Sequence, residues 1–250
     1  MSLRDAAFKL DPLLWANEVL AYYPDSWAQK VMMSPARYVI ENVSRQAGKS
    51  TCSAAMAVHQ AVFFPGSLVL VVSPTLRQSG ELQRKCLKFY DKVDPHHKGL
   101  AEDTKLSIQL ANGSRIIALP GQEENLRGYS APSLIIEDEA SRVSDDLYTA
   151  IRPMLATNQG RLILLSTPNG KMGHFHKIWT EGGAEWLKIK VTADQIARIS
   201  PEFLANERLN MTEAQFLQEY FGEFMEAEGA VFSSDLFKSL ANPAVSALKI

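Results

Sequence analysis

Two cysteines, Cys52 and Cys86, are all that the 250 residues contain. That is too few for a disulfide framework, so the chain reads as the product of a reducing compartment. An excess of either charge is also missing. Lysine and arginine total 26 against 28 acids, a net charge of -2, which excludes a generic polyanion binder and confines any nucleic-acid contact to a local patch. Near the N-terminus, Arg4, Asp5, Lys9 and Asp11 interrupt every apolar run, which argues against a signal peptide or a membrane anchor. Internal repeats and low-complexity tracts are absent as well. What is present is 46% hydrophobic residues against 22% charged ones, enough for one large globular domain or a domain with a small appendage. A soluble, cytosolic protein is expected.

Residues 37 to 43 are largely apolar and β-branched, and they run into Ser44-Arg45-Gln46-Ala47-Gly48-Lys49-Ser50 before an alanine-rich helical stretch that should stop at Pro65-Gly66. Ser67 to Val72 then reads as a strand buried on both faces, completing a βαβ unit. From about residue 76, Leu82, Cys86, Phe89 and Val93 recur at helical spacing, with Arg84, Lys88 and Lys92 as a second, basic row. Asn112-Gly113 between residues 106–110 and 115–119 signals a hairpin. Further apolar strands are expected at 134–137 and 162–166, with a helix over Leu147 to Leu155 between them. Alternating strands and helices predict an α/β fold with a mostly parallel sheet, helices on both faces and ligands at the carboxyl ends of the strands. Residues 201 to 240 carry eight acids against Arg208 and Lys238, which reads as a small acidic helical appendage.

Gly48, Lys49 and Ser50 supply the glycine, lysine and hydroxyl of a phosphate loop, placed between a strand and a helix as phosphate binding requires. The usual first glycine is replaced by Val43. Arg45 inside the loop is a second departure; its guanidinium fits phosphate oxygens, or pairs with a neighbouring acid. Upstream, Gln29 is placed to read a base, whereas Tyr22, Tyr23 and Trp27 are equally explained by packing. Glu137, Asp138 and Glu139 end a buried strand, where unpaired carboxylates are costly and a cation is the natural compensation. The Walker B pattern assigns Asp138 to magnesium and Glu139 to the attacking water, leaving Glu137 as a spare acid. The plainer reading is that these acids cap a helix beginning near Ser141. Ser166, Thr167 and Pro168 end the next strand, where a sheet protein can feel the γ-phosphate, and Arg127 in Leu126-Arg127-Gly128-Tyr129 is a candidate cation supplied across a subunit boundary.

Taken together, Trp27-Ala28-Gln29, the Ser44 to Ser50 loop, Ser73-Pro74-Thr75, Leu126 to Tyr129, Glu137 to Ala140 and Ser166 to Gly170 resemble, in order, the ATPase domain of large terminase subunits, the motors that package DNA in tailed bacteriophages. The resemblance covers about residues 20 to 230. Members of that family commonly lack the first loop glycine and carry an arginine there. The resemblance implies a three-layer P-loop NTPase of the ASCE or RecA-like kind with a small C-terminal helical lid. It implies an ATPase core over 1–195, an acidic lid over 196–235, and over 236–250 the start of a linker to a nuclease domain not contained in this chain. Glu228 to Phe232 resembles that junction, so an ATPase fragment without cleavage activity is expected. ATP and Mg2+ are the implied cofactors. Ser44, Arg45, Gln46, Ala47, Gly48, Lys49, Ser50 and Thr51 would hold the nucleotide and Gln29 its adenine; Ser50 and Asp138 would hold magnesium. Glu139 would activate water, with Lys49 and either Arg45 or Arg127 stabilising charge, Arg127 in trans being favoured. Ser166, Thr167 and Pro168 would couple hydrolysis to movement. The implied partners are a homo-oligomeric ring, expected to be a pentamer, double-stranded DNA, a portal protein and a small terminase subunit, with no membrane. The expected location is the cytoplasm of the infected host, outside the mature virion.

A superfamily 2 helicase resembles the chain at Ser73-Pro74-Thr75 and Asp138 to Ser141, but it needs a second RecA-like domain, and no further apolar strand series follows Ser166. A nucleotide-gated scaffold without turnover is discouraged by Glu139, and a nuclease reading by the confinement of the three acids to one short segment. For DNA contact the candidates are Arg77, Arg84, Lys85, Lys88 and Lys92, against the plainer reading of a solvated face. His96, His97, His174 and His176 show no ligand partners and read as surface or packing residues.

Overall fold

The computed structural model describes residues 2–121, 126 and 128–226. Three short helices open the chain: α1 (Leu3–Leu10), α2 (Pro12–Glu18) and α3 (Ser26–Met33). Ser2 and Asp5 form a capping box for the first; Asp11 caps the second, whose first residue is proline. The core follows as β1 (Tyr38–Val43), α4 (Lys49–Phe63), β2 (Leu68–Ser73), α5 (Leu76–Val93), β3 (Leu100–Asp103), β4 (Ser107–Leu110) and β5 (Arg115–Pro120). Then come β6 (Leu134–Asp138), α6 (Asp145–Met154), β7 (Arg161–Ser166), α7 (Gly173–Glu181), β8 (Trp186–Val191), α8 (Pro201–Asn210) and α9 (Glu213–Phe221). Among the described residues no helix is long and apolar enough to cross a membrane.

The eight strands form one sheet in the order β3-β4-β5-β2-β6-β7-β1-β8. The six from β5 to β8 run parallel; the predicted hairpin of β4 and β5 and the additional β3 form an antiparallel edge. The strand period of two divides the buried side chains between two cores. Val39, Val71, Ile136 and Leu165 pack under α1 to α5, whereas Ile40, Leu70, Ile135 and Leu164 pack under α6 and α7. The three-layer architecture is therefore as expected.

Several elements depart from the sequence reading, β3 among them. The N-terminal helices were not assigned, and a further strand, β8, does follow Ser166. Its Trp186-Leu-Lys-Ile-Lys-Val pattern sets Lys188 and Lys190 on an edge strand, where lysines discourage pairing with another chain and dilute the apolar signal. One added edge strand is not a second RecA-like domain. The acidic appendage is realised as α8 and α9, which gather Ala193, Phe216 and Tyr220 into a small separate cluster. Residues 227–250, with the expected junction and linker, lie outside the described residues.

Candidate nucleotide site

β1 ends in Val43, and the loop to α4 turns through Gln46 (φ 62°) and Gly48 (φ 88°). At Gly48 the left-handed backbone favours glycine, and a guanidinium nitrogen of Arg198, 3.2 Å from where a Cβ would stand, would have to give way to any other residue. The Lys49 ammonium is buried and turns back onto the loop, donating to the carbonyls of Val43 at 2.7 Å and Ser44 at 3.0 Å. Burial lowers its pKa against the opposing pull of Glu139, Asp138, Glu41 and Glu219, so four carboxylates surround a desolvated cation.

Arg45 to Thr51 line one wall of a cavity of about 750 Å³, with Lys85, Glu139, Phe203, Glu207 and Tyr220 completing it. β6 delivers the acids. Alternation sends Asp138 to the face of the phosphate loop and Glu137 to the opposite face. Asp138 is buried; burial first, and Glu139 second, push its pKa up to about 6, with Lys49 opposing. Glu139 stands in a left-handed conformation (φ 55°) and its N–H donates to Asp138 Oδ1 at 3.1 Å. Its carboxylate meets Arg142 at 3.0 Å. Glu139 stands at the N-cap of a short 3-10 turn, Ala140–Arg142, without a side-chain capping bond, and α6, from Asp145, is capped by Ser144.

Polar contacts tie this site to α9. Glu219 pairs with Arg45 Nε at 3.1 Å and with Arg142 at 3.5 Å, and it accepts from the Thr167 hydroxyl at 3.4 Å. Arg45 thus takes the neighbouring acid that its plainer reading required. Ser166 Oγ lies 2.8 Å from Ser141 Oγ, which donates to the Thr167 carbonyl at 2.8 Å, so the strand end at Ser166, Thr167 and the buried Pro168 abuts the acid loop. Arg198 bridges Asp25 Oδ2 (2.7 Å) and the Gln46 carbonyl (3.1 Å). Gln29 is exposed on α3, donates to the Pro24 carbonyl at 2.9 Å and is not among the cavity-lining residues. Arg127 lies outside the described residues.

The basic row of α5 is split. Lys85 turns into the phosphate cavity, while Arg77 and Arg84 join Lys105 around a separate cavity of about 420 Å³. Arg84 pairs with Glu81, and Lys92 donates to the Leu20 carbonyl beside the Phe89 ring. Lys88 is exposed.

Of the two readings of His174, packing holds and surface does not, and Glu137, spare with respect to magnesium and water, has a partner of its own. His174 is buried, with Nε2 2.7 Å from Glu137 Oε1 and Nδ1 3.2 Å from Asp145 Oδ1. Burial is the largest single influence and opposes charge on the ring, but the hydrogen bonds and charges of Glu137 and Asp145 together outweigh it and hold the imidazole above its ordinary pKa. Burial raises Glu137. The sequence does not single out Arg142, Arg198 and Glu219, nor does it foretell the contacts of Lys85 and His174; all but Arg142, three residues from Glu139, are distant in sequence from the motif they touch. Only the three consecutive acids signalled that a buried partner was needed.

Among the described residues no cluster of three or more histidines, cysteines or acids could hold a metal by itself. That suits magnesium brought with a nucleotide, which takes one or two protein oxygens and completes its shell with phosphate and water. Ser50, a hydroxyl lining the phosphate-loop cavity, and Asp138, a carboxylate buried at the end of β6 on the face of the phosphate loop, are such a donor set.

Comparison with known proteins agrees. Residues 41–239 match the family described as terminase large subunit, T4-like virus type, N-terminal. The large terminase subunit of Thermus phage G20c is 24% identical, over 86% of this chain and 52% of that protein. The chain therefore spans about half the length of the curated relatives it matches. The ATPase domain of the Thermus phage P74-26 large terminase superimposes with a TM-score of 0.78 at 21% identity, covering 86% of this chain and all of that one. A large terminase from another thermophilic bacteriophage, solved in complex with ADP, gives a TM-score of 0.61 at 14% identity over 80% of this chain and 53% of that one.

Proposed function

The chain belongs to the family of terminase large-subunit N-terminal domains, and from that premise we propose that it is the ATP-hydrolysing motor domain that drives double-stranded DNA into a procapsid through a portal. The observation that carries this reading is that Lys49 and Glu139 line one cavity whose wall is the phosphate loop, with Asp138 buried behind them and close enough to both for their charges to act on it. The ADP held by the thermophilic-phage terminase, which shares this fold, supports a nucleotide as ligand.

In this reading Lys49 exchanges its two loop carbonyls for the β- and γ-phosphates, an ion pair replacing hydrogen bonds to neutral oxygens. The loop N–H groups and the amino end of α4 add partial positive charge. Ser50 and Asp138 hold magnesium, which neutralises phosphate charge when bound. Glu139 leaves Arg142 and accepts a proton from water. Arg45, released from Glu219, and Arg127 from a neighbouring subunit are the cations for the charge that develops. Gln29, outside the cavity, would leave its bond to Pro24 to read the adenine, and the Ser166 to Pro168 segment, hydrogen-bonded through Ser166 and Thr167 to the acid loop and through Thr167 to α9, passes the change to a lid formed by α8 and α9. The working form is a ring, a pentamer, met by a portal and a small terminase subunit in the host cytoplasm and absent from the mature virion.

Lys49→Ala is expected to lower ATP turnover by about 100-fold or more, measured as phosphate release; a variant with ordinary turnover overturns the site assignment. For DNA, the exposed Arg77, Arg84 and Lys88 are the contacts proposed, with Lys92 at the end of the row and Lys85 shared with the nucleotide cavity. Replacing Arg84 and Lys88 by alanine should weaken binding and reduce the slope of log affinity against log salt by about 1 per residue. An unchanged slope moves the track elsewhere.

A further inference from the structure

Two loops leave the carboxyl ends of the paired strands β6 and β7: residues 139–144 with Glu139 and Arg142, and residues 167–172 with Thr167 and Pro168. One imidazole spans the roots of both. His174, the second residue of α7, follows the second loop; its partners Glu137 and Asp145 precede and follow the first. The backbone N–H of His174 also donates to Asp145 Oδ1 at 2.6 Å, and its ring stacks on Tyr148 with centroids 4.7 Å apart and planes 8° from parallel. Glu137 is completely buried, and its Oε2 has no hydrogen-bond partner. An apolar pair at this place would pack at lower desolvation cost. What the charged pair adds is a directional, two-point link that apolar contacts do not make. Ser141 provides a second link between the same loops.

We infer that His174 is a positioning residue for the hydrolytic reaction: it clamps both ends of the acid loop to the start of α7, so that any displacement of Asp138 and Glu139 during turnover is carried to the segment that follows β7. The inference rests on the ATPase reading above. His174 is not among the residues lining the phosphate cavity; it acts through Glu137 and Asp145.

A cavity of about 420 Å³, lined by Asp145, Tyr148, Lys177 and Glu181 among others, reaches the ring from the surface. Removal of the ring therefore leaves a hole that free imidazole can enter. In the 250-residue chain, His174→Ala should lower kcat for ATP about 10- to 100-fold, the scale of a misplaced reacting group, with KM for ATP within about twofold. Added imidazole should restore part of kcat. An unchanged kcat, a KM that changes with it, or a loss that imidazole leaves untouched overturns the inference. Should the variant fail to fold, the imidazole 15N resonances of His174 in the unsubstituted chain decide: they should shift when ATP-γ-S is added, and unmoved resonances overturn the clamp. A chain that hydrolyses no ATP at all refutes the ATPase reading instead, and the 15N measurement separates that outcome from failure of the clamp.

Discussion

The sheet and the α8–α9 pair are held by different forces. Behind the sheet stand two large clusters of fully buried aliphatic side chains, whereas α8 buries no residue and the pair's own cluster has three buried members, Ala193, Phe216 and Tyr220. The pair is fastened to the sheet chiefly by polar contacts: Glu219 to Arg45, Gln218 to the Gly170 N–H, Asn42 to the Gly222 carbonyl, and Lys190 to Glu223. Apolar burial has no substitute in water, so the sheet is a fixed platform. The Asn42 bond is buried, but the ion pairs each have one well-exposed partner and exchange with water at small net cost, so the α8–α9 pair is held more weakly than the sheet it rests on.

The largest effect separating the two regions should come from their cores. Ile135→Ala is expected to cost about 2–5 kcal/mol of global stability in denaturant unfolding. Phe216→Ala should instead expose residues 193–221 to limited proteolysis while leaving the main transition in place. A single transition lowered equally by both substitutions would erase the distinction. Next is Glu41, buried beneath Lys49 on β1, its pKa pushed up to about 8 by burial, with Arg161 and Lys49 opposing. Because this folded-state value exceeds the unfolded one, the protein loses stability as pH rises through that window, by about 1.4 kcal/mol per pH unit. Between pH 6 and 8, Glu41→Gln should therefore lose about 2–3 kcal/mol less than the parent chain in parallel unfolding curves. Equal pH slopes would show that the carboxyl is not held protonated. The smallest effect belongs to Glu219→Gln, which keeps a hydrogen-bonding group but loosens pairs whose arginines are partly solvated, worth roughly 1 kcal/mol. Backbone amides of α9 should then exchange up to about fivefold faster, with those of β6 unchanged. Faster exchange in both would mean that the pair and the platform open together.

Much of this architecture was legible beforehand. The strands at 38–43, 68–73, 134–138 and 161–166 announce themselves because burial on both faces demands uninterrupted apolar residues, and the phosphate loop because its chemistry is carried by adjacent residues. β8 was hidden by the lysines of an edge strand, and α1 to α3 because short helices owe their stability to tertiary packing more than to local pattern. The amino-acid order alone determined which chemical groups stand at the strand ends: an ammonium, a hydroxyl and three consecutive acids. Tertiary structure alone decided their partners, turning Glu137 toward a histidine 37 residues away, Arg45 toward an acid on α9, and Lys85 out of a basic row into the nucleotide cavity. The reason is that sequence periodicity reports which face a side chain takes, whereas a buried charge is matched in three dimensions by whatever the packing brings within hydrogen-bond reach.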